Sequence, residues 1–479
     1  MSDFVSELKK IGCDRLIRKL SILSANMFLR GNFTYNAELS ITRYGFTEKA
    51  SVMVTAWDLL DMEYLSVLHS NDFRNMKATI LFGQFLNLYR EYENNHSVAT
   101  SLKRGDKDYL FRAIMGMTAE QFQFQSMVRL REKFNRDYYI LYAADFEHSS
   151  DIDVDAVSRV KFNFSVDDYI ALLVMVWGLC AHQPEPLEAF RRISDLDKDS
   201  IFCKENVEKL INYYSCSYDD LRNTKLGKQL LYSKPFIYTQ RKKYITSSLF
   251  LVAMTVANGL YWLVRDYYKD SQKFVNAFGL LFEDYIKNLS FSYCTNDEWT
   301  VLPPSKEKGA DFYYDFGSLR IIVESKTSLL NLDAKQQVPN MSSADRFFSN
   351  TISESYTQLE SSYAKLKGEA LSPVIKVILL YDEFSNTAII EKGIDDIFAN
   401  DPLCFIMTIS EFEILLYLHH NDTDKFDIVI RKILDCISGT GSNRNIGAIF
   451  QSLSIFDNPH WQGDNNFFSA HLDRVDRLF

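Results

Sequence analysis

Apolar residues recur every three or four positions through most of the first 270 residues, a spacing that lays one apolar stripe along an α-helix. The stretches "DFVSELKKIGCDRLIRKLSILSANMF" (3–28), "ASVMVTAWDLLDMEYLSVLHS" (50–70), "ATILFGQFLNLYREYENN" (78–95) and "AEQFQFQSMVRLREKFNRDYYILYAADF" (119–146) carry it. "FSVDDYIALLVMVWGL" (164–179) opens with Ser165 as an N-cap and Asp167 and Asp168 in the first turn, the side of a helix that favours acids. Helices are also expected over 204–215 and 218–232, and a lone early strand over "NAELSITRYGF" (36–46). From about residue 272 the period changes. "SQKFVNAFGLLFEDYIKNLS" predicts a helix, "EWTVLPPS" a short strand ended by two prolines, and "ADFYYDF" and "LRIIVESKT" two strands around Gly317–Ser318. A long helix (344–370), the β-branched strand "PVIKVILLYDE" and a strand-then-helix over 404–422, capped near Ser410, complete the series. The expected fold class is therefore α/β: a large, mainly helical domain over 1–270, then a domain over 271–479 with a mixed central sheet and helices on its faces.

Composition changes that picture little. The chain of 479 residues is 47% hydrophobic, with few glycines and prolines, so it can build large cores and is not disordered. Two apolar runs, 169–182 and 247–264, invite a membrane reading. The first is too short, and the second carries Ser247, Ser248, Thr255, Asn258 and Gly259, so both are expected as buried helices and no membrane partner is expected. Seven scattered cysteines form no CxxC pair. Cys180 and His182 are the nearest to a metal-like pair and are expected to be core. With no secretory signal, the expected location is a reducing cytoplasm. The net charge of −10 excludes a general nucleic-acid coat protein, so a nucleic-acid partner must meet a local basic patch, a metal ion or another subunit.

The chemistry gathers in "GADFYYDFGSLRIIVESKTS" (309–328). A two-residue turn at Gly317–Ser318 pairs Phe316 with Leu319 and, five steps back, Asp311 with Glu324. A four-residue turn would still leave both acids on one face, and a slip by one residue would separate them. Lys326 follows Glu324 by two positions and points the same way. Two carboxylates about 5 Å apart repel, and a divalent cation resolves the conflict. Mg²⁺ is commonly held by one or two carboxylates while sharing phosphate oxygens, and a neighbouring lysine can orient water or stabilise phosphoryl charge. A solvated ion pair at a hairpin end is the plain alternative, but "LRIIV" is too apolar for a free surface strand.

An acid, twelve intervening residues and then Glu324-Ser325-Lys326, set in the order helix, three strands, helix, strand, resembles the PD-(D/E)XK nuclease superfamily, the restriction-endonuclease-like fold. The resemblance covers roughly residues 272–385. It implies an αβββαβ domain followed by a C-terminal α/β extension. It implies Asp311, Glu324 and Lys326 as catalytic residues, with Glu283, one turn after Gly279, joining Asp311 and Glu324 as ligands of Mg²⁺ or Mn²⁺. Asp284 is the neighbouring alternative to Glu283. Gln358 is an accessory candidate, although Tyr363 stands five positions after it where family members have four. Ala310 stands where the family often has proline. Lys306 and Lys308, just ahead of Asp311, are candidates for nucleic-acid binding, as are Lys365, Lys367 and the Arg241–Lys243 cluster. "SGTGSNRNIG" (438–447) lacks the ending of a phosphate loop and is read as a polar loop.

The expected activity is metal-dependent hydrolysis of phosphodiester bonds. DNA is the expected substrate, and RNA, tRNA included, is the alternative. By analogy the setting is defence against foreign genetic elements, with the helical part sensing a substrate, binding a partner or holding the enzyme inactive, and a partner protein or homo-oligomer among the expected partners. The rival from another class is a non-catalytic binding scaffold on the same fold, which the acidic charge favours.

Overall fold

A computed structural model describes residues 3–43, 46–70, 81–96, 130–192, 200–269, 271–303, 309–329, 341–366, 373–381, 398, 401–439 and 445–477. The chain is mixed α/β. Helix α1 (Cys13–Leu29) leads into strands β1 (Thr34–Arg43) and β2 (Phe46–Thr55), which pair antiparallel from Thr34↔Thr55 to Arg43↔Phe46. The helix expected from Ala50 therefore starts later, as α2 (Ala56–His69). Val52 and Val54 are buried while Ser51 and Met53 are exposed, a period of two that belongs to a strand. Thr55 and Asp58 then form a reciprocal capping box that starts the helix. β1 and β2, α1 and α2 share one apolar core with the helix Phe82–His96.

A larger core runs from Phe134 to Val475. It includes α3 (Leu130–Tyr138), α4 (Val166–His182) and α5 (Leu249–Tyr267) from the first part of the chain, and α6 (Lys273–Tyr293) from the second. Ser165 caps α4 as expected, accepting from the Asp168 N–H. α5 is buried along most of its length. No single helix among the described residues is long and apolar enough to cross a membrane. Cys180 is buried and accepts a hydrogen bond from Thr246 Oγ1 at 3.2 Å. Three strands of three residues, β3 (Ser215–Ser217), β4 (Phe236–Tyr238) and β5 (Tyr244–Thr246), form a small sheet that no sequence pattern announced.

The main sheet has the order β10-β9-β8-β7-β6: β6 (Trp299–Val301), β7 (Phe312–Asp315), β8 (Arg320–Lys326), β9 (Val374–Leu380) and β10 (Cys404–Thr408). β6, β7 and β8 pair antiparallel; β8, β9 and β10 pair parallel. The sheet is thus mixed, as expected. Every residue of β9 and β10 is buried, as required of strands covered on both faces. Ile321, Val323, Ile375, Val377 and Leu379 join the large core with α6. On the other face, Ile322, Val374, Ile378 and Leu380 form a third core with Leu359 of α7 (Glu354–Leu366), which continues a helix from Met341 through a π-helical turn at Phe348–Ser353. α8 (Ile409–Asn421) follows β10 directly. Its cap is Thr408, in a capping box with Glu411, and Ser410 lies inside the helix.

Candidate active site

The turn falls where the sequence puts it. Phe316 N–H donates to the Leu319 carbonyl at 3.0 Å. Gly317 takes φ +78°, the left-handed region open to glycine at little cost. The register runs Asp315↔Arg320, Tyr314↔Ile321, Tyr313↔Ile322 and Phe312↔Val323, so one further step brings Asp311 opposite Glu324. There the ladder departs from regular pairing. The Asp311 N–H donates to the Val323 carbonyl at 2.9 Å, and its carboxylate Oδ2 accepts from both the backbone N–H and the hydroxyl of Ser325, at 2.8 and 2.7 Å. Ser325 was only the variable position of the motif in the sequence; in the fold it is the residue that fixes Asp311.

Glu324 has a side chain only 3% exposed. Its Oε1 accepts from Lys326 Nζ at 2.6 Å. Its Oε2 is buried with no hydrogen-bond partner among the described residues, a cost that native interiors rarely leave standing. Burial first, then the charge of Asp311, push the Glu324 carboxyl up to about 7; Lys326 pulls it down, and Glu283 adds a further upward push. Lys326 Nζ also donates to Gln358 Oε1 at 3.3 Å, so α7 brings Gln358, the accessory candidate, against Lys326. Tyr363 and Tyr356 do not join it. Both rings lie by Lys376, with its ammonium 4.8 and 5.4 Å from their centroids.

From the other face of the sheet, α6 contributes Glu283. Burial raises its carboxyl, and the charge of Asp311 raises it further, which sets it within electrostatic reach of the hairpin. Asp284 is engaged elsewhere. It accepts from the backbone N–H of His148 at 3.2 Å and from Lys287 Nζ at 2.9 Å, and lies 2.8 Å from His148 Nδ1. Burial raises its carboxyl, but these bonds more than offset that and hold it low. The choice of Glu283 over Asp284 therefore has a physical basis: Asp284 is already neutralised by its own partners.

The donor set suits a hard cation. It is all carboxylate oxygen, Glu324 Oε2 lacks a partner, and both bonds to Asp311 fall on one of its two oxygens. The set is not drawn tight. Among the described residues, the groups whose ligand atoms all lie within 4.8 Å of one another are Cys294, Glu298 and His419, and Glu147, His148 and Asp284. Of the basic candidates, Lys306, Lys308 and Lys367 lie outside the described residues. Arg241 stands 3.7 Å from Asp14 and Lys243 3.0 Å from Glu185, so two members of that cluster are already paired with acids. No family model, curated protein or solved structure matches the chain.

Proposed function

We propose that the chain is a metal-dependent nuclease with a restriction-endonuclease-like αβββαβ domain, in which Glu283, Asp311 and Glu324 hold Mg²⁺ or Mn²⁺ and Lys326 acts at the scissile phosphate. The observation that carries this reading is Glu324: a buried carboxyl beside two other acids, with one oxygen tied to Lys326 and the other without a hydrogen-bond partner among the described residues. A divalent cation bound there would neutralise phosphate charge and lower the pKa of a coordinated water. The remaining roles fall to the chain itself. Ser325 holds Asp311 in one orientation. Glu324 and Gln358 hold the Lys326 ammonium, which has three donors and keeps one for a phosphate oxygen or the attacking water. The element order α6, β6–β8, α7, β9 supports the same reading.

DNA is the proposed substrate, with RNA as the alternative. Residues 1–270 are proposed to bind a partner or sense a signal, in the setting of defence against foreign genetic elements. The test is incubation of the full chain with duplex DNA, single-stranded DNA, total RNA and tRNA, with Mg²⁺, with Mn²⁺ and with EDTA. Cleavage should require the metal and fall by about 100- to 1,000-fold in Asp311→Asn and Lys326→Ala. Equal cleavage by wild type and both variants would sink the assignment. The net charge of −10 favours the second reading, a non-catalytic scaffold. Calorimetry showing no cation binding that depends on Glu324 would decide for it.

A further inference from the structure

Three ligand-type side chains meet at the other end of the same hairpin. Cys294 ends α6, and Glu298 lies four residues later in the turn into β6. His419 stands in the last turn of α8. The Glu298 carbonyl accepts from the N–H of Asp315, at the turn end of β7. Asp311 is four residues back along that strand, roughly 13 Å away, so this group is separate from the proposed nuclease site. One ligand atom from each residue (a thiol sulfur, a carboxylate oxygen and an imidazole nitrogen) lies within 4.8 Å of the other two. His419 Nε2 and Glu298 Oε1 are 3.1 Å apart.

We propose that Cys294, Glu298 and His419 bind Zn²⁺, tying the α6–β6 turn to the end of α8 and leaving a fourth position for water. Sulfur, nitrogen and oxygen together suit zinc and not magnesium or calcium. Zinc bonds of about 2.0–2.3 Å place tetrahedral ligands about 3.3–3.8 Å apart, so side-chain rotation alone closes the group. The surroundings already orient the ligands. Glu298 Oε2 accepts from the Thr295 N–H at 2.7 Å, and the His419 ring packs against Phe316 and Phe426, with centroids 4.6 and 4.8 Å apart. Such outer contacts fix ligand geometry at metal sites. All three residues are partly exposed, which leaves an entry path. Zinc binding would release the thiol proton of Cys294, since a thiolate is the ligand form. The other close group, Glu147, His148 and Asp284, offers no comparable case, because it holds no thiol and the Lys287 ammonium already occupies Asp284.

This site does not rest on the nuclease reading. The test uses the full chain, stripped with EDTA and titrated with Co²⁺ as a spectroscopic probe. A thiolate-to-cobalt charge-transfer band should grow to one equivalent and disappear when Zn²⁺ is added. Cys294→Ser should abolish the band, His419→Gln should weaken binding at least about tenfold, and Asp311→Asn should leave both unchanged. Zn²⁺ should also raise the Tm of the wild type and not that of Cys294→Ser. A folded wild type without the band, or a band that survives in Cys294→Ser, overturns the proposal. Should Cys294→Ser fail to fold, undiminished binding in His419→Gln overturns it equally.

Discussion

Two buried glutamates on one scaffold are treated in opposite ways. Glu413, on α8, is fully satisfied. Its Oε1 accepts from Arg136 Nε and from the Tyr285 hydroxyl, both at 2.6 Å. Its Oε2 accepts from Arg136 Nη2, Asn458 Nδ2 and Trp461 Nε1, at 2.8, 2.5 and 3.2 Å. Burial alone would raise this carboxyl, but the Arg136 charge and the hydrogen bonds more than offset it and hold the group below its ordinary value. Glu324 has one cation, two acidic neighbours and a bare oxygen, and its carboxyl is pushed up instead. A buried charge whose every lone pair is matched fixes a structure. A buried charge left short of positive partners among the described residues retains a capacity to take up a cation.

The comparison can be broken first at Glu413. Removing one member of a buried ion pair leaves the other uncompensated, at a cost of about 3–5 kcal/mol. Glu413→Gln should lose that much in urea denaturation. A loss below about 1 kcal/mol would mean that the network is slack and the contrast with Glu324 false. Asp311→Asn and Lys326→Ala test the opposite limb. Asn can still accept from Ser325, so the stability of Asp311→Asn should move by less than about 1 kcal/mol. Metal-dependent cleavage should fall by about 100- to 1,000-fold, the scale of losing one preorganised group at a reaction centre. A large stability loss without an activity difference would put Lys326 in the same class as Arg136.

How much of this was legible depended on sequence distance. The hairpin turn could be read because Gly317 and the period-two alternation on both sides are local. So could the shared side of Glu324 and Lys326. The displaced Asp311 could not, because it depends on a side-chain bond to Ser325 fourteen residues on. β2 was misread as helix because Val52, Val54 and the apolar positions after Thr55 fit a 3.6 period as well as a period of two. The three strands β3–β5 are too short to carry any period. Arg136 and Glu413 stand 277 residues apart, on separate helices, and nothing local links them. Cys294 and His419 were missed for the same reason. Cys180 and His182, two positions apart, were expected to be core; Cys180 is buried and bonded to Thr246, whereas His182 is exposed.

A pH series sharpens the contrast. Glu324 sits at about 7 in the fold against an ordinary 4.5. Between those values the folded chain keeps a proton that the unfolded chain has released. Stability from this group is therefore fully present below pH 4.5 and is lost as pH rises through 7. The shift sets a ceiling of about 3 kcal/mol. In EDTA, Glu324→Gln should be more stable than the wild type at pH 8 by up to that amount, and equal to it near pH 4.5. Mg²⁺ should narrow the gap at pH 8 by stabilising the wild type alone. A variant less stable than the wild type at pH 8 without metal would show that Glu324, like Glu413, is satisfied after all.

The smallest effect is expected at Gln358, which touches the site only through Lys326. Its amide oxygen shares the ammonium with Glu324, so it holds the lysine in place and is a positioning residue. Gln358→Ala should leave urea denaturation unchanged within about 0.5 kcal/mol. It should lower cleavage by about tenfold, the value of one hydrogen bond to a charged group. The loss should fall on kcat and not on KM, because the bond orders a group of the enzyme and not the substrate. Gln358→Glu separates position from charge. A carboxylate there would give Lys326 a second acid and add a negative charge beside Glu324, raising that carboxyl further. Cleavage should then require a higher pH than in the wild type. An unchanged pH profile in Gln358→Glu, with full activity in Gln358→Ala, would show that Lys326 is held by Glu324 alone.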